Sequence, residues 1–332
     1  MWFETLTGFP EESPQQVRAN ISVDGDALKS HVNGKVLVYG ELEIPSLAEL
    51  RERVHSEELQ TGKISVSEVV ADVQQLHADE ANAGSLFQVA SQFNLLEMVS
   101  PSVTPERGVG IYENDHTQGP ACAVAAGAGT IYRNYFAIVN GQVGQSAGNQ
   151  IDCLADIGTA LGNSGSRLWE MKNGYALASQ SGLVEISNRL KTASESELDG
   201  LRRLLRIGIQ WNTQVTLNDS AHLVSQVYCS ALPVAYCHHS PSLWAEFARL
   251  VLEASYEATV CVAILNSIRN GNNRLFLTLL GGGAFGNEPD WIIGGIRRAL
   301  NLYKHANLDV AIVSYGSPKE YLLQLIKQTH NQ

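Results

Sequence analysis

Charged residues make up only 17% of the 332 positions, and nowhere do Lys and Arg gather into a cluster. Without a basic stripe, the phosphate backbone of a nucleic acid finds no counter-charge, so no nucleic-acid partner is expected. The formal net charge of −11 instead favours cationic partners, such as an arginine-bearing peptide. Cysteine is equally sparse: Cys122, Cys153, Cys229, Cys237 and Cys261 form no C-x-x-C pair, and their number is odd. That pattern argues against a disulfide framework or a zinc ribbon and fits a reducing compartment, with the cytoplasm as the expected location. No apolar run reaches the roughly 20 residues that cross a bilayer, so no membrane span is expected. The stretch from Met1 to Pro14 is acidic and lacks the cationic start and apolar centre of a signal peptide. His116, His238 and His239 have no further ligands in sight, and adjacent histidines are badly placed for one ion. Neither a metal nor a cofactor is therefore expected.

Hydrophobic residues make up 44% of the chain, ample for a core, and neither a repeat nor a linker divides it. The reading is one α/β domain over residues 1–332 with an N-terminal extension and insertions: a mixed central sheet sandwiched by helices. Short strands are expected at 21–23 and 36–39, and a helix over 46–58 with Ser46 as cap and Glu49 three places on. Val66, Val69, Val70 and Val73 fall at helical spacing and predict a helix over 65–77. A buried strand is expected at 86–96, and an alanine-rich helix from Pro120 to Tyr132 with Thr117 as cap. Further along come a short helix at 151–161, a hairpin around Asn173-Gly174, and a capping box Ser194-x-x-Glu197 opening a helix to about Ile207. The last third is ordered most clearly. It has a strand at 223–236, a long helix at 243–269, an interior strand at 274–280, a helix at 289–303 and a strand at 308–314. Its closing strand, glycine turn, helix and strand make a βαβ unit.

Two constellations carry chemistry. Between the strand at 274–280 and the helix at 289 lies Gly281-Gly282-Gly283-Ala284-Phe285-Gly286-Asn287. Glycines admit a ligand close to the backbone, and a helix N-terminus behind them offers unpaired N–H groups, which together suit a phosphate or pyrophosphate. It is no Walker loop, because no Gly-Lys-Ser/Thr follows, and no dinucleotide fingerprint, because the third glycine is missing. The alternative is a tight turn without a ligand. Phe285 either stacks on a ribose or base, or plugs the core. The second constellation is acidic: Glu97, Glu106, Glu113 and Asp115 fall within 19 residues ahead of a helix. Asp115 lies where the helix dipole favours a carboxylate, which could orient water, hold ribose hydroxyls or bind a guanidinium; it could also be an ordinary cap. Asn94 and Gln118 flank the loop as candidate hydroxyl-binding groups.

The glycine turn resembles the C-terminal phosphate loop of the poly(ADP-ribose)-glycohydrolase-like macrodomains, which often run Gly-x-Gly-x-Phe-Gly-Asn-x-Pro; here the match is Gly281 to Pro289. The family's glycine triplet followed by paired glutamates is not found at 94–97 or beyond. In this the chain is more similar to atypical macrodomain hydrolases, the bacterial effectors that strip ADP-ribose from arginine of ubiquitin. The resemblance implies a macrodomain-like fold and removal of mono-ADP-ribose from a protein side chain, arginine first. It implies Asp115, Glu106 and Glu97 as catalytic groups. Asn94, Gln118, Gly281, Gly282, Gly283, Ala284, Phe285, Gly286 and Asn287 are implied to hold ADP-ribose. The implied partner is an ADP-ribosylated protein such as ubiquitin. A non-catalytic ADP-ribose reader and a Mg²⁺-dependent nucleotide-sugar or diphosphate hydrolase are the alternatives.

Overall fold

The computed structural model describes residues 1–57 and 61–330. Its centre is a seven-stranded mixed sheet of β1 (Glu41–Glu43), β2 (Ser65–Val70), β3 (Leu86–Ala90), β4 (Gly208–Gln214), β5 (Leu223–Cys229), β6 (Arg274–Leu277) and β7 (Asp309–Ser314). In space the order is β1-β4-β5-β3-β6-β7-β2. The five strands from β5 to β2 are parallel, and β4 runs antiparallel to both β5 and β1. Parallel strands need both faces covered, and the helices supply this. On one face lies α7 (Pro241–Asn270), flanked by α1 (Leu47–Ser56), α5 (Gln180–Thr192), α6 (Glu195–Arg202) and α8 (Pro289–Leu302). On the other lie α2 (Val73–Ala78), α3 (Gln118–Ala125) and α4 (Gly127–Tyr135). Strand β6 is interior, as its run of apolar residues requires, and Leu275, Phe276 and Leu277 are all buried.

Local chemistry accounts for several boundaries. Ser46 and Glu49 form a reciprocal capping box at α1, and Ser194 and Glu197 form another at α6. Asn173-Gly174 turns the hairpin Trp169–Lys172/Tyr175–Ala178. Elsewhere the structure corrects the sequence reading. Residues 65–70 are a strand, not the start of a helix. Its six residues pair in parallel with Asp309–Ser314, and β-branched valines suit that ladder. Only from Val73, after Asp72 caps with its side chain on the Gln74 N–H, does a helix begin. The alanine-rich segment is two helices broken at Ala126 (φ −118°, ψ 61°). It begins at Gln118 with no side-chain cap from Thr117. Strands β3 and β5 stop at Ala90 and Cys229, the helix expected over 151–161 begins at Ala155, and α6 ends at Arg202.

Two apolar clusters hold the chain. The larger fills both faces of the sheet. The smaller lies under the N-terminal segment, where Phe3, Leu6, Phe9, Val17 and Leu28 meet Ile131 and Tyr135 of α4 and Met98, Val109 and Tyr112 of the acidic loop. The N-terminal extension is thus packed against the loop that carries the carboxylates.

Candidate functional site

At the carboxyl ends of the parallel strands, where open α/β sheets keep their ligands, the surface sinks into a cleft with two lobes. The large lobe holds about 890 Å³ and is walled by Val73, Val124, Leu279, Ile292 and Val313, with Asp72, His116 and Lys319 among its polar groups. The small lobe holds about 170 Å³. Asp115, Thr117, Gln118, Thr278, Leu279 and Gly283 line both and mark the junction.

The glycine turn forms one lip. Gly281 has φ +74°, and a Cβ there would lie 2.4 Å from the Ala231 Cβ, so the turn closes only with glycine at that position. Asn287 locks it: its backbone N–H donates to the Gly281 carbonyl (2.9 Å) and its amide to the Leu232 carbonyl (2.8 Å). Asn287 therefore shapes the turn from below. The three successive N–H groups of Gly283, Ala284 and Phe285 donate to no acceptor among the described residues. Consecutive free amides make an anion-binding concavity. Gly283 is open, with nothing within 4 Å of where a Cβ would be. Phe285 does not float free. It packs at 5.4 Å from Tyr175 and 5.6 Å from Tyr236, and the three rings wall the small lobe.

The acidic loop forms the opposite lip and floor. Glu97 is only 2% exposed, its Oε1 has no hydrogen-bond partner, and it lines the small lobe. Burial pushes its carboxyl well above the ordinary carboxylate range; the Arg133 guanidinium opposes that and the Asp115 carboxylate adds to it. The approach of α3 depends on Gly119, since a Cβ there would sit 2.4 Å from Glu97 Oε2 and 2.0 Å from the Ala90 carbonyl. Asp115 stands at the junction, and its Oδ1 accepts both the Thr117 N–H (2.9 Å) and the Thr117 hydroxyl (2.7 Å). Its other oxygen has no such tie among the described residues.

Other residues marked from sequence sit differently. Glu106 is exposed and lines neither lobe; it accepts the Ala147 N–H at 2.8 Å. Burial alone would raise its carboxyl, yet hydrogen bonds from Ala147 and Thr104 hold it below the ordinary value. Asn94 is fully buried, bonded to Gln150 (2.8 Å) and to the Leu96 N–H (3.2 Å), so it folds the loop and lines neither lobe. Gln118 lines the junction, but its amide is consumed: it accepts from the Ala90 N–H (2.9 Å) and donates to the Gln88 carbonyl (2.8 Å), stitching α3 to the end of β3.

Four contributors escaped the sequence reading. Tyr175 follows the Asn-Gly turn of the hairpin and Tyr236 sits in a short 3₁₀ turn, and nothing local aims either at the cleft. Arg133, 1% exposed, lies 3.7 Å over the Tyr228 ring and donates to the Leu95 carbonyl (3.1 Å). That contact helps hold Leu95 at φ +63°, a strained conformation two residues before Glu97. Glu11 reaches in from the N-terminal segment to accept from the N–H groups of Val109 (3.0 Å) and Gly110 (2.6 Å) and from the Tyr135 hydroxyl (2.6 Å). Among the described residues no group of three His, Cys, Asp or Glu side chains is placed to hold a metal ion, and no helix is long and apolar enough to cross a membrane.

No protein-family model and no curated protein sequence matches this chain. Among solved structures, similarity is found to the poly(ADP-ribose) glycohydrolase of Deinococcus radiodurans in complex with ADP-ribose, at 11% identity and TM-score 0.46, over 87% of this chain and 94% of that one. The poly(ADP-ribose) glycohydrolase of Thermomonospora curvata bound to the inhibitor ADP-HPD gives 11% identity and TM-score 0.44, over 95% of each chain. At such identity and scores the likeness transfers neither a ligand nor a residue role. The chemistry of the cleft rests on its own side chains.

Proposed function

We propose that this chain is an ADP-ribosyl hydrolase that removes mono-ADP-ribose from protein side chains, arginine-linked ADP-ribose first. One observation carries the reading: three free backbone N–H groups at Gly283–Phe285 share the lining of the small lobe with the acidic side chains of Asp115 and Glu97. A ligand that bridges them must carry a phosphate at one place and a bond sensitive to carboxylates close by. The large lobe, at about 890 Å³ with apolar walls, suits a nucleoside and diphosphate. The diphosphate rests at the Gly283 end of the turn, which lines both lobes, and the distal ribose reaches the junction. There water adds to the anomeric carbon as its bond to the guanidinium nitrogen breaks. The leaving nitrogen keeps the electron pair, and Asp115 takes the water's proton and passes it to the departing guanidine. Positive charge on the ribose is greatest midway, when the carboxylate beside it stabilises most.

Glu97 completes the floor of the site. Glu106, bonded to Ala147 outside both lobes, supports the loop. Five free cysteines are in keeping with a reducing compartment, and we place the protein in the cytoplasm. The test is release of free ADP-ribose from arginine-ADP-ribosylated protein, ubiquitin included, with serine- and glutamate-linked substrates and chelator controls in parallel. Release from arginine supports the reading. ADP-ribose binding without release from any linkage makes the protein a reader, and chelator-sensitive cleavage of the diphosphate makes it a metal-dependent hydrolase.

A further inference from the structure

The small lobe has a chemistry of its own. Its walls are Tyr175, Tyr236 and Phe285, with ring centroids 5.1 to 5.6 Å apart. Its floor is the buried Glu97, whose Oε1 has no partner, and Asp115 stands at its mouth. No Lys, Arg or His among the described residues lines it. Although Gly283, Ala284 and Phe285 also line the lobe, an anion deep in it would sit beside the two acidic side chains with no cationic side chain to pair with. An apolar group would offer no donor to either acidic side chain. A planar cation answers both surfaces, since its N–H groups donate to the Glu97 carboxyl group and its face lies against a ring. With about 170 Å³ the lobe admits a guanidinium and the methylene or two behind it, and excludes a nucleoside.

We propose that the small lobe is a binding pocket for a guanidinium group, with Glu97 as its acceptor and the Tyr175–Tyr236–Phe285 rings as its walls. The proposal rests on the hydrolase reading only for the molecule that delivers the guanidinium, an arginine side chain; the pocket binds a free guanidinium without ADP-ribose. Binding is coupled to a proton. Around Glu97 stand Arg133 from α4, Cys122 from α3, Tyr112 and Asp115 from the loop, and Tyr175 from the hairpin. In that buried setting the Glu97 carboxyl holds its proton more tightly than an ordinary carboxyl, and pairing with a guanidinium favours its ionised form. The guanidinium keeps its own protons, and the carboxyl proton leaves to the buffer.

The experiment titrates methylguanidinium chloride into the full chain by calorimetry, in two buffers of different ionisation enthalpy at one pH and ionic strength. Saturable binding with proton release is expected. Glu97→Gln should weaken it at least tenfold and abolish the proton release. Phe285→Leu should weaken it several-fold and leave the proton release in place. Melting curves accompany both variants, and the wall variant keeps the test open should Glu97→Gln fail to fold. Absence of saturable binding, binding untouched by Glu97→Gln, or D-ribose filling the lobe in place of methylguanidinium overturns the proposal. ADP-ribose is titrated alongside. Should it bind while methylguanidinium does not, this inference falls and the hydrolase reading stands; the reverse result removes only the hydrolase reading.

Discussion

Replacing Gly283 with Val separates a ligand cradle from a mere turn. A Cβ at Gly283 meets nothing within 4 Å, and the backbone there is outside the left-handed region, so the folded chain accepts the side chain. Exposed substitutions of this kind stay within about 0.5 kcal/mol, which is at most about 2 °C in melting temperature for a chain of this size. The two γ-methyls project into the junction that both lobes share and cover the free amides of Gly283 and Ala284. Losing even one charge-assisted hydrogen bond to phosphate removes about 1.5–3 kcal/mol, so ADP-ribose affinity should drop at least tenfold. Adenosine, which has no phosphate, should bind weakly to wild type and lose far less. Gly281→Val is the matched control. Its Cβ would fall 2.4 Å from Ala231 at φ +74°, so it should cost several kcal/mol of stability and lower the melting temperature by about 5 °C or more. Calorimetric titration with ADP-ribose and adenosine, beside melting curves, gives all the numbers. A Gly283→Val protein that melts normally and binds ADP-ribose within twofold of wild type would refute the cradle.

Asp115→Asn keeps shape and removes charge at the junction, so turnover on arginine-linked ADP-ribose should fall about 100-fold with ADP-ribose affinity held within a few-fold; near-normal turnover removes its assigned role. Glu106→Gln should leave turnover within about threefold of wild type, because its carboxylate is bonded to Ala147 outside the cleft, and a large loss would place it in the chemistry after all. Glu97 has a folded-state pKa raised above its ordinary value of 4.5, so its contribution to stability is full below that pH and is lost as pH rises through the folded value. The melting temperature of Glu97→Gln relative to wild type should therefore climb from pH 4.5 upward, and a pH-independent difference would show that no charge is being buried. Glu11→Ala strips an acceptor from two backbone N–H groups and the Tyr135 hydroxyl and should cost about 1–3 kcal/mol in denaturant unfolding.

What could be read beforehand was whatever short stretches of chain decide alone. The capping boxes at Ser46 and Ser194 and the Asn173-Gly174 turn need only their neighbours, and the βαβ unit around the glycine turn follows from a glycine run between an apolar strand and a Pro-initiated helix. The failure at 65–77 has the opposite cause. The partner that makes Ser65–Val70 a strand lies 244 positions away at Asp309, and valine spacing cannot announce it. The site shows the same division. Residues of the glycine turn and Asp115 come to line the cleft because local backbone chemistry, a strand–turn–helix junction and a loop ahead of a helix, places them there. Asn94 and Gln118 look in sequence like ligand-binding amides, but the fold uses their amides to satisfy neighbouring side-chain and backbone groups. Nothing in the sequence near Glu97 tells that α3 would bury it, and nothing near Glu11 tells that its carboxylate would find amides 98 and 99 residues on.

That last contact makes the loop's shape a matter of remote control. Glu11 holds Val109 and Gly110, and the Trp2 N–H holds the Glu113 carboxylate at 2.9 Å, so a strap of about a dozen residues pins a segment about a hundred positions downstream. Nicking the chain between Glu12 and Ser13 would leave the strap held to the loop by these hydrogen bonds and its apolar packing alone, with no covalent tie. Lifting the strap would free Glu113, which lines the large lobe, and so reach the wall of the cleft from the far end of the chain.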